Sequence, residues 1–600
     1  MRMCRQGIQF KRIFIFMLVL LVLTVNIVGC GTSDKDGKES SDISSETPGK
    51  STADDSKKDE GDKADDNGLS EPGELPIVTE PVTLTIGIQQ HPLTTDYEDN
   101  YFTNLVEDVT GVNLDFELFP SEGEEAKQKF TLMTSANQAL PDILCLGFSD
   151  IERATYGSSG VFIPLNDYFE NDAYFFNETL GKWASAEEKE NVIKYGTSPD
   201  GNIYGYPTYS IDPGDSSALG CWINNQWLDN LGMDIPTTTE ELYDVLKAFK
   251  ESDANDNGNA SDEIPLIGHK EWMGNVDLYL MNSFIYDAFA GTWGYQLNAE
   301  NGKLYAPFVT DEWREGIRYI HKLAEEELLS PLSFSQTQNE LRAILSDSDD
   351  KDSIIGAFVG HPSPLFGTDG VERVKEYTPM PAMAGPDGVN WTPNSGWFAS
   401  YGTQITSSCE NPDLAFRVMD AISKEDISIS HRYGEEGVDW IYTDQGEPNH
   451  VLEGYEAIYK QTYTSDRPAR WQSENDTIWH STPMAQLPPK LHGGLVRSDY
   501  PNEYREYQMR DLWYESVPLR YDNYPDELVA RLIFTQEEVD AISEIQTSIY
   551  SYVDESRTRF ILGDMNIETD WDSYISTLES MGLGELIEVS QTCYERMMSQ

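Results

Sequence analysis

The stretch Val82-Thr83-Leu84-Thr85-Ile86-Gly87-Ile88 alternates apolar with small or polar residues, the period-two pattern of a half-buried strand. Phe102, Leu105, Val106 and Val109 then recur at helical spacing, and Gly111 supplies a stop. Alternation returns at Val112, Leu114, Phe116 and Leu118. A helical pattern follows over Glu124 to Asn137, and Pro141-Asp142-Ile143-Leu144-Cys145-Leu146 reads as a buried strand. This order of strand, helix, strand, helix, strand predicts a parallel sheet with right-handed crossovers, and so an α/β fold.

Beyond Gly205-Tyr206-Pro207 a second region opens. Thr238 and Glu241 form a capping box for a helix whose apolar face is Leu242, Val245, Leu246 and Phe249. A further helix is expected over Asp311 to Leu328. Asn411-Pro412 opens another, with Ala415, Val418, Met419 and Ile422 as its buried stripe. The last stretch of the chain, rich in Tyr, Trp and Glu, shows helical segments whose order in space the pattern does not give. No internal repeat is present.

Toward the N-terminus, Arg2, Arg5, Lys11 and Arg12 precede an apolar run from Ile13 to Val25, then Ile27-Val28-Gly29-Cys30. That run is about 13 residues against the roughly 20 that span a bilayer, so residues 1–29 read as a cleaved signal peptide rather than a transmembrane helix. The last four residues resemble a bacterial lipobox, which would leave Cys30 as the lipid-bearing N-terminus. Residues 30–78 read as a disordered tether. Between Gly31 and Pro76 only Ile43, Leu69 and Leu75 are large and apolar, and Gly31 to Ile77 holds 14 acidic and 6 basic residues, a net of −8. The remainder, about 520 residues, is too long for one core and suits two lobes of roughly 200 to 300 residues.

The chain has 42 Lys and Arg against 104 Asp and Glu, a formal charge of −62; the leader contributes +4 and the tether −8, which leaves −58 for the body. Such a field repels polyanions, excludes nucleic acid as a partner and favours neutral or cationic ligands. Signs of catalysis are weak. The eight histidines form no H-E-x-x-H, and no G-x-S-x-G elbow, Walker A or Rossmann glycine pattern occurs. Gly157-Ser158-Ser159-Gly160 has the wrong spacing for an elbow and reads as a loop. Paired carboxylates carry no specificity among so many acids. Cys4 leaves with the leader, Cys30 would be acylated, and Cys145, Cys221, Cys409 and Cys593 are scattered, with Cys145 reading as a small core residue.

One segment carries metal chemistry. In Asp253-Ala254-Asn255-Asp256-Asn257-Gly258-Asn259-Ala260-Ser261-Asp262-Glu263, oxygen donors stand at loop positions one, three and five, with Gly at six and the Asn259 carbonyl at seven. This is the first half of an EF-hand-type Ca²⁺ loop. Position twelve is Ile264, so Asp262 and Glu263 would have to close the sphere; a polar surface turn is the alternative. A bound ion would be structural, because protein ligands wrap it.

The lipobox, the tether, the strand Thr83 to Ile88, Gly201-Asn202-Ile203-Tyr204-Gly205-Tyr206-Pro207 and Trp227-Leu228-Asp229-Asn230-Leu231-Gly232, which leads into the Ca²⁺-like loop and Asp262-Glu263-Ile264-Pro265, together resemble the family 1 extracellular solute-binding lipoproteins of ABC importers. Gly385-Pro386-Asp387-Gly388, Asn411-Pro412-Asp413 and Tyr433-Gly434-Glu435-Glu436-Gly437-Val438-Asp439-Trp440 agree with the large branch that includes alginate-binding proteins. The family's calcium loop has one residue fewer before its Asp-Glu pair. The resemblance implies a two-lobed periplasmic-binding-protein-like fold of type II with the ligand cleft between lobes. The expected lobes are 79–207 with 354–425, and 208–353 with 426–600. Chain crossings are expected near Tyr206 to Cys221, at the apolar run Ile354 to Val359, and after the helix ending near Ser423.

What the resemblance implies for function is a non-enzymatic, monomeric receptor. It would sit on the extracellular face of a Gram-positive cell membrane, held by an N-terminal diacylglyceryl anchor, and would deliver a neutral oligosaccharide to ABC permease subunits. The same receptor holding a peptide or other solute, and a surface-anchored glycan hydrolase or lyase, are the alternatives. Sugars stack on aromatic faces and pair with planar polar groups. Gln90, just past the first strand, Tyr209 on the first crossing, and Trp272, Trp391, Trp397 and Trp440 in loops are the expected ligand contacts. The metal set is Asp253, Asn255, Asn257, Asn259, Asp262 and Glu263, for structural Ca²⁺.

Overall fold

The computed structural model describes residues 68–210, 219–271, 273–287, 297–345, 352–366, 371–394, 399–443, 457–462, 467, 470, 473–480, 485–496, 515–520 and 523–599. The leader, Cys30 and the tether up to residue 67 lie outside them. No helix among the described residues is long and apolar enough to cross a membrane.

Strand β1 (Val82–Gln89) pairs in parallel with β2 (Val112–Phe119) and with β3 (Ile143–Cys145), in a register that sets Leu84 beside Leu114 and Ile86 beside Ile143. The helix Tyr101–Thr110 that joins β1 to β2 starts where the Asn100 side chain accepts the Phe102 N–H at 3.0 Å. It stops at Gly111, whose φ of +77° few side chains tolerate and whose Cβ, if present, would sit 2.3 Å from the Val78 carbonyl oxygen. The helix buries Phe102 and Val106 against the sheet. Each such side chain adds about 1.5–3 kcal/mol relative to exposure. The helix Gly123–Ser135 makes the second crossover. The full first sheet runs β14 (Gln486–Leu487), β4 (Tyr206–Ser210), β11 (Ser400–Ile405), β3, β1, β2, with β11 antiparallel to both neighbours.

A second sheet runs β10 (Tyr377–Pro379), β5 (Cys221–Asn224), β9 (Ile355–Val359), β6 (Ile264–Ile267), with β6 and β9 parallel. The capping box of Thr238 and Glu241 forms as expected, and the helix Thr239–Glu251 buries Leu242, Val245, Leu246 and Phe249. The helix Asp311–Glu325 ends three residues early, where Glu327 turns to a φ of +53°. The hairpin β7 (Asn298–Glu300) and β8 (Lys303–Tyr305) is tied to the C-terminal helix, where the Leu304 N–H donates to Gln591 Oε1 at 2.8 Å. The long helix Gln536–Leu562, started by a capping box of Thr535 and Glu538, and the helix Leu583–Ser599 complete this lobe. Trp313 stacks on Trp571 and Tyr574 with ring centroids 6.0 Å from each.

The expected lobe boundaries need correction. Ile355–Val359 pairs with β5 and β6, so it belongs to the second lobe and is no return crossing. The helix Glu425–Tyr433 and the segment up to β15 (Leu495–Val496) stay with the first lobe, because Ile427 and Trp479 lie in its core and β14 pairs with β4. In the first lobe, β12 (Trp440–Tyr442), β13 (Tyr459–Gln461) and β15 form a small sheet. The chain has therefore changed lobe from β4 to β5, from β10 to β11, and from β15 to Val517, which lies in the second lobe's core. An all-apolar run of five suits a central strand of either sheet, so periodicity does not choose between them. The tether also ends earlier than expected. Ile77 and Val78 are buried in the first core, with Leu69 and Leu75 packed against it. Arg417 donates to the carbonyls of Ser70 (2.9 Å) and Glu71 (2.7 Å). Gly157 and Ser158, expected in a loop, close the helix Asp150–Ser158.

The helix Pro412–Ile422 is enclosed from Leu414 to Ile422 rather than along one stripe. Its Asp420 accepts the N–H groups of Phe175 and Phe176, each at 2.9 Å, at the start of the helix Tyr174–Trp183. Burial pushes the carboxyls of Asp420 and Asp287 up to about 6. A carboxyl raised above its ordinary value near 3.8 contributes stability that is complete below that value and lost as pH rises through 6. The melting temperature is therefore expected to be higher at pH 5 than at pH 8, as read by differential scanning calorimetry. A melting temperature that falls on acidification over that window contradicts the assignment.

Candidate functional site

In parallel sheets, ligands gather at the carboxyl ends of the strands, where the connecting loops meet. In the first lobe these ends carry Gln90 and His91 after β1 and the Phe148–Ser149 turn after β3. In the second they carry His269 after β6 and Gly360 after β9. Of the expected ligand residues that are described, Gln90 and Trp391 reach the surface or a cavity, while Tyr209 and Trp440 are core residues. Gln90 is exposed at the end of β1. Tyr209 is fully buried in the first core, opposite Gln486. Trp440 is fully buried, donates its indole N–H to the Gly434 carbonyl at 3.0 Å and packs on Tyr459, so it is a packing residue. Trp391 is half-buried and borders a cavity of about 500 Å³ in the second lobe. Trp272 and Trp397 lie outside the described residues.

The structure adds groups that the sequence did not signal. His91 and His480 stack with centroids 5.0 Å apart, and His480 sets its ring nitrogens 3.0 Å from the Thr94 hydroxyl and 2.8 Å from the Arg470 carbonyl. Burial pulls both imidazoles below the usual histidine value, so they are neutral at pH 7. His269 is fully buried, neither ring nitrogen has a hydrogen-bond partner, and burial pulls it down to about 4. The lobes meet where Arg531 of the second pairs with Asp150 of the first, Nε to Oδ2 at 2.6 Å. Asp150 also pairs with the buried Arg153, and both guanidiniums lie over the Tyr401 ring, at 5.3 Å for Arg153 and 5.9 Å for Arg531. A cavity of about 300 Å³ borders this contact, lined from both lobes by Asn191, Tyr195, Asn394, Arg531 and Tyr594.

None of the described cysteines is poised as a nucleophile. Burial pushes Cys145, Cys409 and Cys593 up to about 12, and Cys221 higher still, which suppresses the thiolate. Cys145 sits in the first core, as its apolar setting implies.

The acidic loop folds as a tight turn with its oxygens inward. Asp253 accepts the N–H groups of Asn257 (3.1 Å) and Gly258 (2.9 Å), and the Asn255 and Asn257 side-chain oxygens accept those of Asn257 (3.2 Å) and Asn259 (2.8 Å). Gly258 takes a φ of +88°. Asn255 Nδ2 donates to the Ser353 carbonyl at 3.1 Å, which fixes the amide so that its oxygen faces the loop. Asp262 Oδ1 and Glu263 Oε2 are buried without a hydrogen-bond partner, and burial, reinforced by Asp262 and Asp253, pushes the Glu263 carboxyl up. Unpaired buried carboxylate oxygens beside inward amide oxygens fit a hard cation. Among the described residues, no group of three or more His, Cys, Asp or Glu side chains is placed to hold an ion unaided, so amide and carbonyl oxygens would share the sphere.

The model of the bacterial extracellular solute-binding protein family matches residues 92–427, more than half of the chain and parts of both lobes. The chain belongs to this family. Its fold is accordingly the two-lobed, type II solute-binding fold. As a family member it is 26% identical to the fructooligosaccharide ABC transporter substrate-binding protein FusA of Streptococcus pneumoniae, over 84% of this chain and 88% of FusA. The structure of FusA in complex with kestose superposes with a TM-score of 0.60 at 25% identity, over 86% of this chain and 99% of that one. A FusA EF-hand mutant bound to fructo-nystose gives 0.59 at 24% identity over the same shares. The alginate-binding protein AlgQ2, solved without calcium ion, shares the fold at 20% identity and a TM-score of 0.53, over 86% of this chain and 99% of AlgQ2. Lipoprotein LipO of Bacillus subtilis is 22% identical over 68% of this chain and 74% of LipO. FusA and AlgQ2 are both named as binding proteins.

Proposed function

We propose that this solute-binding protein is a lipid-anchored receptor on the outer face of the cell membrane, which captures a neutral oligosaccharide and hands it to an ABC permease without chemical change. The observation that carries the reading is the similarity to FusA across both lobes, a protein named for its sugar ligand. The charge of the body supports an uncharged ligand, since an anion would approach against −58. Gln90 and Trp391 are the described ligand contacts in this reading, with Trp272 and Trp397 beside them in sequence terms. Calorimetry of the full chain against neutral glycans (kestose, nystose, maltotriose, cellotriose) and against trigalacturonate is expected to find one tight neutral ligand. Chromatography of the incubated glycan is expected to find it intact, and cleavage products would move the chain to the hydrolases or lyases.

Asp253, Asn255, Asn257, Asp262 and Glu263, with the Asn259 carbonyl, would hold Ca²⁺, which there supplies positive charge and cross-links the loop. Binding to the folded state alone raises stability with ligand concentration, by about 2.7 kcal/mol at a hundredfold excess over Kd. Chelator is expected to lower the melting temperature and Ca²⁺ to restore it, with the response absent in Asp253→Ala. A melting temperature indifferent to both reagents rules the loop out as a metal site.

Cys30 is read as the anchoring residue and the tether as the leash that keeps the lobes within reach of a permease, with a root-mean-square span on the order of 40 Å. Cys30→Ala is expected to release the protein into the medium with glycan affinity unchanged. Retention of that variant on the membrane would mean another feature anchors it.

A further inference from the structure

The cavity beside Trp391 is lined by the second lobe alone, from the segment Phe284–Tyr286, the hairpin β7–β8, Trp391 and the segment Pro525–Glu527. Its walls are braced from behind. Trp391 donates its backbone N–H to the Asn282 carbonyl at 3.0 Å, and Asn282 is fully buried and bonded through Nδ2 to the carbonyls of Leu278 (2.8 Å) and Asp287 (3.0 Å). The Tyr286 hydroxyl donates to the Asn394 carbonyl at 2.9 Å. These bonds hold the aromatic faces in place before any ligand arrives, which lowers the ordering cost of binding.

Asn298 is the group whose chemistry is unfinished. It is 5% exposed, and its Nδ2 donates to the Tyr286 carbonyl at 2.6 Å and lies 3.3 Å from the Tyr305 hydroxyl. Those two contacts fix which way the amide faces. Its Oδ1 is left buried with no partner. An unmet buried acceptor costs about 1–3 kcal/mol, and native structures rarely keep one without a use. Around it stand the ring faces of Trp391 and Tyr305 and the carboxylates of Glu300, Glu312 and Glu527. Asn298 Oδ1 and the three carboxylates accept hydrogen bonds, while the Tyr305 hydroxyl, which accepts from Asn298 Nδ2, and the Trp391 indole N–H can donate them. The complementary ligand offers hydroxyl donors, an apolar C–H face for the rings, and no negative charge.

We propose that this cavity is a sugar-ring subsite of the second lobe, in which Asn298 Oδ1 accepts a ligand hydroxyl, Trp391 stacks on the ring, and the three glutamates exclude uronates. The cavity's size lies within the roughly 300–1,000 Å³ of small-molecule sites. The proposal rests on the carbohydrate reading and narrows it to a neutral sugar unit whose recognition does not require the first lobe.

The test uses the full chain with kestose, nystose, maltotriose and cellotriose as neutral probes and trigalacturonate as the anionic one. With whichever neutral probe binds, Trp391→Ala and Asn298→Leu are expected to raise Kd about tenfold or more, the equivalent of one lost charge-free hydrogen bond or stacking face. Glu300→Gln combined with Glu312→Gln, both at exposed positions, is expected to admit trigalacturonate, which the wild-type chain is expected to exclude. Asn298→Leu also leaves the Tyr286 carbonyl unpaired, so melting temperature is followed alongside; a purely structural Asn298 would lower it without moving Kd. If Asn298→Leu does not fold, Trp391→Ala and the double glutamine variant still decide the matter. An unchanged neutral-probe Kd in folded Trp391→Ala and Asn298→Leu, or no trigalacturonate binding in the double glutamine variant, with wild-type binding intact, overturns the subsite and leaves the receptor reading standing. Failure of the wild-type chain to bind any of the neutral probes removes the receptor reading and the subsite with it.

Discussion

Parallel pairing of β1 with both β2 and β3 is the constraint on which the rest of the molecule depends. A parallel neighbour cannot be reached by a tight turn, so the chain must return through a helix on the face of the sheet. Those helices cover the sheet, which is why β1 buries Leu84, Ile86 and Ile88 and why Gly87 stands where a Cβ would meet Leu144 at 2.7 Å. The same geometry sends the carboxyl ends of β1, β2 and β3 to one side. Loops on that side are freed from packing duty, and in the second lobe β6 and β9 repeat the arrangement. A receptor needs little more than two such edges joined by a few strands of chain.

The joint itself is electrostatically frugal. One carboxylate, Asp150, serves Arg153 from its own lobe and Arg531 from the other, while Tyr401 offers both guanidiniums its ring face. In a body with a net charge of −58, concentrating two cations at the lobe contact sets an attractive point within a mutually repelling surface. The cavity beside this contact carries both signs, with Lys194 and Arg531 set among Glu187, Glu188, Asp526 and Glu527.

Sequence reading succeeded wherever the determining contacts are local. Thr238 and Asn411 cap helices through bonds to residues three positions on, and each helix starts where those residues stand. The turn of the acidic loop is equally local, because its inward oxygens and its glycine come from eleven consecutive residues. It failed where partners are distant. Ile355–Val359 carries an apolar run that two sheets could equally accept, and only its pairing with Cys221–Ile223 places it in the second lobe. The aromatic residues show the same limit: Trp391 and Trp440 sit in similar loop sequences, yet one borders a cavity and the other is sealed against Tyr459 with its N–H satisfied. Asn298 had no signal at all, since its unmet oxygen is a property of its surroundings.

The amino-acid sequence by itself determined the α/β class, the helix starts, the acidic body and the candidate metal loop, because each follows from spacing along the chain or from composition. Only the tertiary structure decided which strand belongs to which lobe, where the chain passes between lobes, that Leu69, Leu75, Ile77 and Val78 leave the tether for the core, and which aromatic and amide groups face a cavity. Those outcomes depend on contacts between residues tens to hundreds of positions apart, and their free energy is shared among many weak neighbours rather than written in any one stretch of sequence.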